Sequence, residues 1–202
     1  MPEFVSNPAL EAMAAGRRSS QRPVPPGWDE NPTSFSRRAQ LAALAGVGFL
    51  LALYLTLYQW RAWSSVWDPF FHSRTVLDLT APVPDALAGA LAYGTEIVLL
   101  ALGGRDRWRS LPWVCLVLGA VLSMGAVVSI GLIVVQPTVA GTWCTLCLVS
   151  AGLSLALFAL GIGEARAAWQ HVSRARSQGI ALGDAVWGRA ASASAMSSGA
   201  TA

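Results

Sequence analysis

At 202 residues the chain has room for one or two soluble domains, yet 54% hydrophobic and only 12% charged residues point to lipid as its surroundings. All 14 basic residues are arginine, for a net charge of +3, and no basic stripe is interleaved with aromatic residues as strand binding requires, which argues against a nucleic-acid partner. Three cysteines are too few for a disulfide scaffold, and a single membrane domain is the simplest organisation.

Residues 1–38 carry six prolines, several serines and five arginines without an apolar block that would serve as a signal-peptide core. They read as a disordered cytoplasmic tail. From Ala39 to Trp60 no residue is charged, and at about 1.5 Å per residue this run spans the roughly 30 Å of bilayer hydrocarbon. A mixed stretch follows, with Arg61, Asp68, His72, Arg74 and Asp78 among Trp63, Trp67, Phe70 and Phe71, a composition suited to an interfacial loop. The second span is expected over about 85–102, opened by Pro84 and closed by Gly103 and Gly104, with Glu96 as its acid beyond the first position.

A short basic loop, Arg105 to Arg109, precedes an uncharged run from Ser110 to Gly163. That run is long enough for two spans, and Gln136-Pro137-Thr138 with Gly141-Thr142 divides it into helices of about 111–135 and 143–162. Residues 164–202 are polar and read as a second cytoplasmic tail. The fold expected is therefore all-α, an integral membrane bundle of four helices over 39–163.

Five arginines precede the first span, three lie at 105–109 and four follow the last span, which leaves only Arg61 and Arg74 for the opposite side. Positive charge favours the cytoplasmic side, so both termini are expected there, in a multi-pass protein of the plasma (inner) membrane. The 61–84 loop and the Gln136–Thr142 turn then face the oxidising compartment, with Cys144 at the outer start of the last helix.

Cys144 and Cys147 are three residues apart and share one helical face. Thiols at a helix N-terminus feel the positive end of the macrodipole, which favours the thiolate that exchange requires, so the pair is suited to cycling between dithiol and disulfide. Cys144, nearer the interface, is expected to be the more exposed sulfur and Cys147 the deeper one. The plainer reading makes both small buried hydrophobes. A metal is not expected, since zinc takes about four ligands and only His72 would accompany the thiols. Cys115 lies a membrane thickness from the pair, too far to bridge to it, and is expected to pack.

Asp85, Gly89, Tyr93 and Glu96 follow one another at helical steps and line one face of the second span. They form either a polar wall beside a quinone-sized pocket, with Tyr93 or Asp85 hydrogen-bonding a carbonyl, or a packing face in which Gly89 lets helices approach and Tyr93 and Glu96 bond to neighbours.

Thr142-Trp143-Cys144-Thr145-Leu146-Cys147-Leu148, the Pro84 to Tyr93 opening of the second span, and Phe71-His72-Ser73-Arg74 in the loop together resemble the vitamin K epoxide reductase family. The resemblance covers about 39–163. It implies a thiol oxidoreductase that passes electrons through Cys144 and Cys147 to a quinone of menaquinone or ubiquinone type, supporting disulfide formation outside the cytoplasm. Cys147 is then the thiolate beside the ring, Cys144 exchanges with the reductant, and Asp85, Gly89 and Tyr93 are quinone-binding. The partners it implies are membrane lipid, quinone and a thioredoxin-like extracytoplasmic thiol protein. Active relatives carry a second cysteine pair in the loop after the first helix; this chain has none there, and Trp67 stands near the expected position. Two rivals remain at this stage: a non-catalytic four-helix scaffold or subunit, favoured by that absence, and a small transporter, for which broken helices and intramembrane acids beyond Glu96 are missing.

Overall fold

A computed structural model describes residues 24, 25, 27–29, 31–60, 85–141 and 143–189. The chain divides into two units, Met1–Asn31 and Pro32–Ala202. In the first, the described residues hold a turn in which the Trp28 N–H donates to the Pro25 carbonyl at 3.1 Å. The second contains α1 (Phe35–Gln59), α2 (Asp85–Ala101), α3 (Arg107–Ser110), α4 (Pro112–Val135), a π-helical turn (Gln136–Ala140), α5 (Thr145–Ser177) and α6 (Leu182–Val186). The expected loop over 61–84, with His72, Trp67 and the aromatic residues, lies outside the described residues.

Three of these segments, Phe35–Gln59, Pro112–Val139 and Thr145–Ser177, are long and apolar enough to cross a membrane. The protein is a helical membrane protein. The fourth expected span is the shorter apolar helix Ala86–Ala101, which at about 1.5 Å per residue falls a little short of the hydrocarbon thickness. The four close into a ring in which α1 packs on α2, α2 on α4, α4 on α5 and α5 on α1.

Packing follows the membrane rule that small residues bring backbones together. A Cβ on Gly119 of α4 would collide with Ala165 of α5, and one on Gly161 of α5 would meet Leu122 at 2.5 Å. Leu41, Ala45, Val114, Leu118, Leu122 and Leu157 fill the interior. Large apolar residues such as Leu50, Leu91, Met124 and Val127 stand about two-thirds exposed on the outside, the surface that lipid chains cover.

Two boundaries move from their expected places, each through contacts with another segment. Helix α1 begins at Phe35 and so takes in Arg38, whose Nε donates to the Leu100 carbonyl at 3.0 Å and whose Nη1 donates to Gly103 at 2.9 Å. Arg107 does the same from α3, donating through Nη1 to Leu99 at 2.9 Å and Leu102 at 3.1 Å. The carbonyls at the end of α2 that have no partner in their own helix are thus capped by two cations, which also complement the negative end of its dipole. The second shift is in α5, which runs on to Ser177. Its polar continuation keeps a buried face of Glu164, Ala167, Ala168, Val172 and Ala175, with Glu164 paired to the buried Arg107 and Ala185 of α6 closing over Val172 and Ala175.

Candidate functional site

Where α4 gives way to α5 the chain needs a tight reversal. Gln136 opens the π turn, Pro137 follows without an N–H to donate, and Gly141 sits at φ 64°, the left-handed conformation that glycine adopts without penalty. Cys144 then takes extended backbone angles as the N-cap of α5. Its Sγ accepts from the Cys147 N–H at 3.2 Å, and its own N–H donates to Gln136 Oε1 at 3.0 Å. One side chain of the turn therefore pins the backbone of the first cysteine.

Cys144 and Cys147 are joined as a disulfide with Cα atoms 5.2 Å apart, inside the range such bridges need. The expected order of exposure is reversed. Cys144 is only 1% exposed, whereas Cys147 keeps a partly exposed surface. The expectation rested on depth along the helix, whereas Cys144 is the buried N-cap of α5 with its N–H bonded to the buried Gln136.

Tyr93 is buried and reaches across the ring to α5. Its hydroxyl donates to the Ser150 carbonyl at 2.8 Å and lies 2.8 Å from Ser154 Oγ. Ser150 and Ser154 follow Cys147 at three and seven residues, on the same face of α5, so Tyr93 meets the stripe that carries the inner sulfur. Room for its ring comes from α1, where a Cβ on Gly48 would meet that ring at 2.5 Å. Gly89 also packs on α1, its position for a Cβ 3.7 Å from Ala52. Asp85 is the first residue of α2, and its side chain lies outside the described residues. Glu96 is 4% exposed and its Oε2 has no hydrogen-bond partner among the described residues. Of the four stripe residues, then, Tyr93 is brought to the α5 face of the cysteine pair and Gly89 serves the α1–α2 contact.

Cys115 is fully buried in the first turn of α4 and free, about 30 Å along that helix from the turn that leads to Cys144. Among the described residues no three His, Cys, Asp or Glu side chains gather as a metal site would require. One residue at the site was read from the sequence only as part of a turn. Gln136 is 1% exposed and directly bonded to Cys144. A signal for it was present: Gln136 is the only carboxamide side chain in the uncharged run from Ser110 to Gly163.

A model of the vitamin K epoxide reductase family matches residues 39–162, the part of the chain that holds α1, α2, α4 and the disulfide end of α5. No curated relative matches the chain. The family is one of membrane thiol–disulfide oxidoreductases that use quinones. With the match running from the first span through the cysteine pair and most of α5, the chain belongs to the vitamin K epoxide reductase family.

Proposed function

We propose that the protein passes electrons from extracytoplasmic thiols to a quinone through Cys144 and Cys147, and so supports disulfide formation outside the cytoplasm. The observation that carries this reading is the disulfide at the N-terminus of a membrane helix, with Cys144 as the cap and Cys147 partly exposed. Oxidation of the dithiol to the disulfide releases two electrons and two protons. A bound quinone supplies the acceptor for both, leaving as the quinol.

The residues present fit such a group. Its ring needs apolar surroundings and its oxygens need donors, and beside Cys144 the Nε2 of Gln136 is a buried donor with no partner among the described residues. Asp85, Gly89 and Tyr93 are assigned to the quinone wall, Tyr93 being held in place by Ser150 and Ser154. Cys147, with its open surface, is the sulfur on the quinone side. Cys144 exchanges with the reductant, a thioredoxin-like thiol protein. Cys144 caps the helix with the Cys147 N–H aimed at its sulfur.

The same reading places the protein in the plasma (inner) membrane, with residues 1–38 and 164–202 cytoplasmic around a 39–163 domain, on the distribution of arginines. A second reading, a scaffold of the same fold whose thiols only pack, draws on the absence of cysteine from 61–84. Thiol trapping in membranes separates the two. On the redox reading, Cys144 and Cys147 shift together between dithiol and disulfide as the quinone pool is reduced and reoxidised; a pair whose state ignores the pool leaves the scaffold.

A further inference from the structure

We propose that Gln136 is a quinone-binding residue, its side-chain amide donating through Nε2 to an oxygen of the quinone. The proposal rests on the quinone reading above and names a contact that the family pattern at Asp85, Gly89 and Tyr93 does not include.

Gln136 is 1% exposed, so its amide cannot turn to bulk water for partners. One end of that amide is committed: Oε1 accepts the Cys144 N–H at 3.0 Å. This fixes the plane of the group and leaves Nε2, with two hydrogens to donate, at the disulfide end of α5. Among the described residues Nε2 has no acceptor. A buried donor held in place by its other half and left without a partner marks a position for an acceptor.

The chemistry of the site selects the kind of acceptor. A quinone offers carbonyl oxygens, which accept and do not donate, and negative charge builds on them as electrons arrive. A neutral N–H in fixed orientation, beside the positive end of the α5 dipole, stabilises charge developing there without reorganising. Gln136 thereby serves two groups at once: its oxygen holds the backbone of Cys144, and its nitrogen holds the acceptor of the electrons. The link explains why the Gln136 amide is tolerated almost fully buried between membrane helices.

The test uses the full chain in lipid nanodiscs, kept as the Cys144–Cys147 disulfide so that binding is measured without turnover. Equilibrium dialysis against empty nanodiscs gives the affinity for menadione, for ubiquinone-1 and for 2-methylnaphthalene, which has the ring of menadione but no carbonyl. Gln136→Met keeps the length of the side chain and removes both the donor and the oxygen; Gln136→Leu removes both with a branched side chain. The expected result is that both variants bind menadione or ubiquinone-1 roughly tenfold more weakly, the loss of one buried hydrogen bond to a carbonyl oxygen, while 2-methylnaphthalene binds as it does to the wild type. Unchanged quinone affinity in Gln136→Met overturns the proposal. So does an equal loss of quinone and hydrocarbon binding, which marks Gln136 as a structural support of the pocket. Wild-type protein that binds neither quinone overturns the quinone reading itself, and this contact with it.

Discussion

The Arg107–Glu164 pair offers the sharpest energetic prediction. Both side chains are almost completely buried, at 0% and 1% exposure, and Arg107 also donates to carbonyls at the end of α2. Glu164→Gln keeps the size and the acceptor but removes the countercharge, stranding a guanidinium away from water. Breaking a buried pair from one side costs about 3–5 kcal/mol, and the carbonyls that already cradle Arg107 put this case near the lower figure, about 3 kcal/mol. For a chain of this length that is a fall of roughly 6–12 °C in Tm. Thermal unfolding in detergent, followed by tryptophan fluorescence, reads it. The double variant Arg107→Leu with Glu164→Leu leaves no stranded charge, so it loses less than the sum of its two single variants by about 2 kcal/mol. A change below about 2 °C in Glu164→Gln, or a double variant equal to the sum, refutes the reasoning. Because Glu164 lies about 25 Å along α5 from Cys147, Glu164→Gln leaves the redox state of the pair unchanged wherever the protein stays folded.

Three further outcomes follow from the packing. Tyr93→Phe removes the hydroxyl shared with Ser150 and Ser154 and lowers stability by about 0.5–1.5 kcal/mol, measured by the same unfolding; a loss above about 3 kcal/mol contradicts the local account. Gly119→Val drives a side chain into Ala165 and prises α4 from α5, costing at least about 1–3 kcal/mol; an unchanged Tm contradicts the close approach. Cys115→Ser leaves the trapped state of Cys144 and Cys147 as it is, because the thiol is remote from them; mass spectrometry that finds Cys115 in a disulfide with either one contradicts the fold.

The spans were legible because lipid admits few charges: Ala39–Trp60 and Ser110–Gly163 are uncharged, the second run is long enough for two spans, and Gln136-Pro137-Thr138 with Gly141-Thr142 divides it. The cysteine pair was legible from spacing and from its place at a helix start. What escaped was set by contacts between distant segments. Arg38 and Arg107 look like ordinary cytoplasmic arginines until α2 ends beside them. The run after Glu164 reads as tail by composition, although Glu164, Ala167, Ala168, Val172 and Ala175 already carry a helical period that a periodicity reading would have caught. The reversed exposure of Cys144 and Cys147 was not legible, because it depends on the π turn folding Gln136 against the N-cap.

The central claim is that this one cysteine pair exchanges electrons with a quinone. The direct measurement is to reduce the purified protein in nanodiscs, remove the reductant, add ubiquinone-1 or menadione without oxygen, and count quinol formed and Cys144–Cys147 disulfide by mass spectrometry. The account predicts one quinol for each disulfide, and neither product in Cys147→Ala. Quinone that leaves the pair as dithiol, or quinol formed equally well without Cys147, contradicts it.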